Sequence, residues 1–157
     1  MPPPAIYDLA LLDPTKIVVP HEEIYKIIPQ KYEWEMLTAI IYENYDTGVI
    51  VGYRDLTADE YWVRGHIPGR PLMPGVLMIE CAAQLCAYWT MKRQPEMGFV
   101  GFAKCDETRF RGTVVPPSRL YMTAKIVELN RRRAIGRCQG VNNGSLVFES
   151  LITGMSV

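Results

Sequence analysis

A run of apolar residues dominates the middle of the chain, from Gly75 to Lys92, and few polar side chains interrupt it. A segment that is apolar nearly all round is typical of a helix buried on most sides. The pattern therefore predicts one long buried helix from about Gly75 to Lys92. A shorter helix is predicted from His21 to Ile28, because its isoleucines share one face and Pro29 ends it.

Apolar and β-branched residues recur in strand-length runs on both sides of the long helix, bounded by turn residues. The last two runs flank Asn142-Asn143-Gly144, which is a hairpin signal. The order of elements predicts an α+β fold with a mainly antiparallel sheet and its helix on one face. The predicted strands are Trp34–Tyr42, Val49–Tyr53, Met97–Phe110, Leu120–Leu129, Ala134–Val141 and Leu146–Met155, with Glu60–Val63 as a short extended piece.

The length of 157 residues suits one domain with a substantial core. Residues 1–20 are rich in proline and are predicted to form an arm on the surface of a single domain over residues 21–157.

The formal net charge is zero, which argues against nucleic acid as a partner. No apolar run approaches a membrane span, and the first residues lack the features of a signal peptide, so a cytoplasmic location is expected.

The four cysteines, Cys81, Cys86, Cys105 and Cys138, form no Cys-x-x-Cys pair. They are interpreted as reduced core residues, as in cytoplasmic proteins. Only two histidines are available as imidazole ligands, so no metal site is expected.

Candidate chemistry is concentrated in the loop 65–75 and the first turns of the long helix. Three prolines and three glycines shape the loop around His66, a side chain that can act as a neutral base at cellular pH. The helix begins at Gly75, where free backbone N–H groups could hold a carbonyl oxygen. Glu80, within the apolar helix, could act as a general acid, and Gln84 could hydrogen-bond Glu80 or a substrate. Together these groups suit β-elimination next to a thioester or ketone carbonyl.

The segment 65–84 closely resembles the signature of β-hydroxyacyl-acyl carrier protein dehydratases of the FabZ type, Gly-His-Phe-Pro-Gly-x-Pro-x-x-Pro-Gly-Val-Leu-x-x-Glu-Ala-x-Ala-Gln. The resemblance covers roughly residues 20 to 155. Residues 28–32, Ile-Pro-Gln-Lys-Tyr, are similar to the family's Leu-Pro-His-Arg-Tyr segment. Residues 109–116, from Arg109 to Pro116, are similar to its Arg-Phe-x-x-x-Val-x-Pro stretch.

The resemblance implies a hot-dog fold, in which a curved antiparallel sheet wraps around the long helix. It implies dehydration of (3R)-hydroxyacyl thioesters on acyl carrier protein to trans-2-enoyl thioesters, without a cofactor. It also implies a homodimer, in which His66 and Glu80 of one active site come from different subunits. Three such dimers could assemble into a hexamer. Gly75 and Val76 would bind the substrate at the helix start. An aspartate at the position of Glu80 is typical of the isomerising FabA-like branch, so Glu80 favours dehydration alone.

The chain departs from the family pattern in three places. Thr38-Ala39 replaces an Asp-Arg pair, Pro116-Pro117-Ser118 replaces Pro-Gly-Asp, and Ile67 replaces a phenylalanine. Ile67 and Met73 are expected to contact the acyl chain. The first two departures leave open whether the pathway is primary fatty-acid synthesis or a specialised one, such as lipid A or polyketide synthesis.

Two other functions stay open from the sequence. A hot-dog thioesterase would release free thiol without an enoyl product, and a non-catalytic acyl-binding protein would bind thioesters without turnover. An acidic carrier protein would require a basic patch near the site. The candidate cations for that patch are Lys92, Arg93, Arg109, Arg111 and the run Arg131-Arg132-Arg133.

Overall fold

The computed structural model describes all residues of the chain, 1–157. Helix α1 spans His21–Ile27 and helix α2 spans Gly75–Arg93. The strands are β1 (Val19–Pro20), β2 (Ala39–Asn44), β3 (Val49–Leu56), β4 (Val100–Phe110), β5 (Ser118–Leu129), β6 (Arg133–Asn142) and β7 (Ser145–Ser156). Three short 3-10 turns are present at Leu9–Leu11, Tyr32–Trp34 and Pro95–Met97. All seven strands form one antiparallel sheet in the order β1-β2-β3-β5-β6-β7-β4.

The predicted α+β class, the antiparallel sheet and the long buried helix are confirmed, but two predicted extended segments are wrong. Residues 34–37 pair with no strand, because helix side chains hold their backbone instead: the Met36 N–H donates to Gln84 Oε1 and the Leu37 N–H donates to Tyr25 Oη. Thr38 makes a single bond to the sheet, from its N–H to the Tyr53 carbonyl at 2.8 Å, and β2 begins at Ala39. The segment Glu60–Val63 is a turn, closed by the Val63 N–H donating to the Glu60 carbonyl at 3.0 Å.

Helix α2 packs against the inner face of the sheet. That face presents Ile50, Leu120, Met122 and Phe148, all essentially inaccessible to solvent. Glycine permits the closest approach, because a Cβ at Gly136 would lie 2.5 Å from Cys86 Sγ. The helix is consequently buried on most sides, as predicted.

Three of the cysteines lie in the core and all four are free thiols. The expectation that Cys105 is also a core residue is wrong, because it lies on β4, which is one of the two edge strands of the sheet and is largely uncovered. Neither helix is long and apolar enough to cross a lipid bilayer.

The N-terminal residues lie across the outer face of the sheet. Ile6 and Tyr7 pack on a second apolar cluster of β2 and β3 residues that includes Val51. The Gln139 side chain anchors this arm at two points: Oε1 accepts from the Ile6 N–H at 2.8 Å and Nε2 donates to the Pro4 carbonyl at 2.9 Å. The arm thus explains why β3 is buried on both of its faces.

Deletion of residues 1–12 is expected to lower the free energy of unfolding by about 2 kcal/mol, because it uncovers the outer apolar cluster. Urea denaturation followed by circular dichroism measures the change. A Lys16→Ala variant, altered at an exposed position beyond the deletion, is the control. An unchanged denaturation midpoint in the deletion variant would show that the arm contributes no net stability.

Candidate active site

The His66 side chain is held in one orientation by the loop that precedes α2. Its backbone N–H donates to the Trp62 carbonyl at 2.9 Å, and its ring Nδ1 lies 2.9 Å from the Leu72 carbonyl oxygen. A carbonyl oxygen can only accept, so Nδ1 carries the proton of the neutral ring. Nε2 is then the unprotonated nitrogen, and the ring is exposed. This geometry makes His66 Nε2 a base available to a substrate.

The start of α2 leaves backbone donors free beside His66. Pro74 precedes the helix and supplies no capping side chain, and the N–H groups of Gly75 and Val76 have no partner within the chain. The Phe110 ring lies directly over Gly75, since a Cβ there would approach the ring to 2.8 Å. Only a residue without a Cβ fits beneath this ring, and the two free N–H groups beside it could hold a carbonyl oxygen.

A cavity of about 380 Å³ connects these groups. His66, Gly75 and Val76 line it together with the buried Met73. Ile67 is an exposed loop residue and does not line this cavity in a single copy of the chain.

The Glu80 carboxyl group is half-buried rather than enclosed, and one of its oxygens is fully occupied. Glu80 Oε1 accepts from Trp34 Nε1–H at 3.0 Å and from Gln84 Nε2–H at 2.8 Å. Both partners are donors, so a proton on the carboxyl group must reside on Oε2. The two bonds thereby direct the acidic proton of Glu80 away from Trp34 and Gln84.

Gln84 has no free hydrogen-bonding capacity for a substrate. It is 1% exposed, and its Nε2 donates to the Trp34 carbonyl at 2.7 Å as well as to Glu80. Its Oε1 accepts from the Tyr25 hydroxyl at 2.8 Å and from the Met36 N–H at 3.1 Å. Burial raises the pKa of the Tyr25 phenol, which keeps it a donor. Of the two partners suggested for Gln84, the structure shows Glu80, whose carboxyl group Gln84 holds in place.

A second cavity, of about 260 Å³, begins at Glu80 and follows α2 between the helix and strands β4, β6 and β7. Ala83, Ala87 and Thr90 present small side chains to it at helical spacing, and Phe102 and Ile152 line the sheet side. An elongated, mostly apolar cavity with one carboxyl group at its wall suits an acyl chain.

His66 and Glu80 do not meet within one chain. They line different cavities and share no hydrogen bond. A single copy of the chain thus carries a base with free amide donors at one place and an acid with an apolar cavity at another.

Three contributors to the site were not predicted from the sequence: the indole of Trp34, the carbonyl of Leu72 and the ring of Phe110. Trp34 carried a signal in its residue type, because tryptophan has a hydrogen-bond donor on an otherwise apolar side chain. The Leu72 carbonyl and the Phe110 ring contribute because the loop and the strand place them beside His66 and Gly75. Residue type gives no signal for such placement.

Replacing Trp34 by phenylalanine is expected to lower kcat about tenfold with little change in KM, because one of the two donors to Glu80 Oε1 is lost. Steady-state kinetics of thioester turnover measure the split. In a Glu80→Gln background the same replacement should have no further effect, since Trp34 acts through Glu80. An equal loss in both backgrounds would contradict this role.

Comparison with known sequences identifies relatives over most of the chain. Residues 28–150 match the family model described as a FabA-like domain. A relative from Clostridium botulinum, the 3-hydroxyacyl-[acyl-carrier-protein] dehydratase FabZ, is 33% identical over 129 residues, which are 82% of this chain and 89% of that protein. The resemblance inferred from the segment 65–84 is thereby confirmed.

Solved structures with the same fold include a dehydratase heterocomplex, ApeI:P, from Xenorhabdus doucetiae. It superposes with a TM-score of 0.69 at 12% identity and covers 85% of this chain and 90% of that one. A putative thioesterase from Ralstonia eutropha superposes with a TM-score of 0.62, also at 12% identity, over 74% of this chain and 83% of that one. At such identities the likeness extends to the fold alone, and the predicted hot-dog architecture is confirmed.

Proposed function

The chain belongs to the FabA-like family, and on that basis we propose that it is a (3R)-hydroxyacyl-acyl carrier protein dehydratase. It removes water from a 3-hydroxyacyl thioester to give the trans-2-enoyl thioester, in fatty-acid synthesis or a related acyl pathway. The observation that carries the mechanism is the bond from His66 Nδ1–H to the Leu72 carbonyl, which leaves Nε2 as a fixed base.

The reaction divides among three groups. His66 Nε2 takes the proton from the carbon next to the thioester carbonyl, while the Gly75 and Val76 N–H groups stabilise the charge that develops on the carbonyl oxygen. The electron pair of the broken C–H bond forms the double bond, and the C–O bond breaks. Glu80 Oε2 gives its proton to the departing hydroxyl, which leaves as water. Return of the proton from His66 to Glu80 restores both groups.

A dimer brings these groups together in this proposal. The edge strand β4 is long, its outer backbone groups are unpaired within the chain, and it exposes Phe102 and Phe110 by 52% each. Pairing of two such edges would cover the aromatic side chains and could bring His66 of one copy to Glu80 of the other. The proposed working unit is accordingly a homodimer, and the free thiols support a cytoplasmic location.

The acyl carrier protein is proposed to dock near the His66 cavity. Among the candidate cations, Lys92, Arg111 and Arg133 are already paired with glutamates, whereas Arg109 forms no ion pair and adjoins Phe110 in the cavity wall.

Arg109→Glu is expected to raise KM for the carrier-protein thioester about tenfold at low salt and less at high salt. KM for a short pantetheine thioester should not change, and Arg131→Glu serves as the remote control. Equal effects on both thioesters would exclude this docking site.

The function itself is tested by incubating the protein with 3-hydroxyacyl thioesters of several lengths and following enoyl absorbance. Formation of the enoyl product is expected with the wild type. Free thiol without enoyl product would identify a thioesterase. Binding without turnover would identify a non-catalytic acyl-binding protein.

A further inference from the structure

The loop that carries His66 is basic and exposed. We call residues 64–70 the arginine loop; all seven are exposed, and residues 61–79 include no acidic side chain. Arg64 and Arg70 take part in none of the ion pairs of the chain. Ile67 lies between them and is 38% exposed. The surface around the proposed base is thus positively charged with an apolar centre, which suits an acidic and aromatic partner surface.

A surface of that kind surrounds the Glu80 carboxyl group. The rings of Trp34 and Tyr61 are 45% and 52% exposed, although Trp34 Nε1 donates to Glu80. Partial burial and the nearby carboxylates of Glu33 and Glu80 raise the pKa of the Tyr61 phenol, because the ring lies among them. We call Glu33, Trp34, Tyr61 and Glu80 the acidic aromatic patch.

The cations close to this patch are committed elsewhere. Lys31 Nζ donates to the Tyr25 carbonyl, and Arg54 is paired with Glu60 at 2.7 Å. Glu33 is exposed and takes part in none of the ion pairs of the chain. A single copy therefore carries an unpaired carboxylate beside its acid and two unpaired guanidinium groups beside its base.

Strand β4 connects the two surfaces, because one cavity lies at each of its ends. Phe102, near the start of β4, lines the Glu80 cavity, and Phe110, at its end, lines the His66 cavity. The eight residue steps between these rings span about 26 Å, which keeps the two surfaces apart in one chain. A two-fold axis that joins two edge strands into one sheet makes them antiparallel, so the end of one β4 lies beside the start of the other.

We propose that the arginine loop of one copy docks on the acidic aromatic patch of a second copy, and the proposal rests on the dimeric dehydratase given above. Arg64 and Arg70 face the free carboxylate of Glu33, and Ile67 lies on the exposed aromatic rings. Arginine suits this surface because its guanidinium group pairs with carboxylates and also stacks on aromatic faces. The two-fold axis makes the contact twice in each dimer. The contact holds the loop of the base at the mouth of the cavity that contains the acid.

Charge reversal tests this contact, because it distinguishes a contact between copies from one within a chain. One variant carries Glu33→Arg, and the other carries Arg64→Glu together with Arg70→Glu. Like charges face each other in either homodimer, so we expect its dissociation constant to rise about tenfold or more at low salt. A dimer that contains one copy of each variant again joins opposite charges at both contacts. After subunit exchange, about nine tenths of the dimers should be mixed, instead of the statistical value of about half.

Native mass spectrometry measures the mixed fraction, since the two chains differ in mass. The control mixture pairs Glu22→Arg with the double variant Lys16→Glu/Lys125→Glu, which reverses the same number of charges at exposed positions away from both surfaces. It should give about half mixed dimers. In high salt the mixed fraction of the test mixture should fall towards that value, because screening weakens contacts between exposed charges.

Equal mixed fractions in the test and control mixtures would overturn the contact. If the loop variant then raised KM for the carrier-protein thioester and not for a short pantetheine thioester, the arginine loop would be a docking site for the carrier protein instead. In either case, enoyl formation by the wild type would leave the dehydratase function intact. A preference for mixed dimers together with a wild type that forms no enoyl product would overturn the function and retain the contact.

Discussion

Mixing two inactive variants, His66→Ala and Glu80→Gln, is expected to restore about a quarter of wild-type activity. Each variant alone should lose about 10³-fold in kcat, because each lacks one of the two proton-transfer groups. If each site takes His66 from one subunit and Glu80 from the other, a mixed dimer has one site with both defects and one intact site. Random pairing makes about half of the dimers mixed, and half of their sites are intact, which gives the quarter.

The measurement uses two affinity tags to isolate mixed dimers after co-expression, followed by the enoyl assay. Purified mixed dimers should reach about half of wild-type activity. The control pairs His66→Ala with the double variant His66→Ala/Glu80→Gln, a combination in which no site has a histidine. Mixed dimers that form but show no recovery would mean that both residues act within one chain. That result would remove the two-chain site from the mechanism.

Replacing Ala87 by phenylalanine is expected to shorten the range of accepted acyl chains. Ala87 lies seven residues beyond Glu80 on α2 and lines the cavity that begins there, so a benzyl group would fill its far part. Each buried methylene contributes about 0.8 kcal/mol, or roughly fourfold in kcat/KM, in the wild type. In the variant, the gain in kcat/KM with each added methylene should stop at an acyl chain several carbons shorter. Activity on long chains should fall about 10²-fold, while activity on short chains should stay within about threefold.

An acyl-chain-length series on the carrier-protein thioester measures this effect. Ala58→Phe, which adds the same ring at an exposed turn, should leave the whole series unchanged. A uniform loss in the Ala87 variant across all lengths would indicate damage to the fold or to Glu80. Unchanged activity on long chains would place the acyl chain elsewhere.

The sequence predicted helices and strands well where the pattern of apolar residues was typical of only one kind of element. The long helix was predicted to end at Lys92 and ends at Arg93, because apolar burial on most sides gives an unambiguous signal. The segment 34–37 was misassigned because its backbone pairs with the side chains of Gln84 and Tyr25, which are distant in sequence. Local pattern carries no information about such long-range partners.

The same limit applies to the candidate site. The rigid loop, the glycine at the helix start and the acidic residue in an apolar helix identified His66, Gly75 and Glu80 by residue type alone. Residue type left two partners open for Gln84, and only the packed structure shows its bonds to Tyr25, Trp34 and Glu80. Cys105 was misplaced for a related reason, since burial depends on whether a strand lies at the centre or at the edge of a sheet.

The sequence by itself determined the family and the fold class and supplied the chemical groups of the proposed reaction, because those follow from local periodicity and from residue types at fixed spacing. Only the tertiary structure decided which nitrogen of His66 is free, which oxygen of Glu80 is occupied, and that the two residues line separate cavities in one chain. Which atom of a histidine or a carboxyl group carries the proton depends on its hydrogen-bond partners. Packing brings those partners together from positions far apart along the chain.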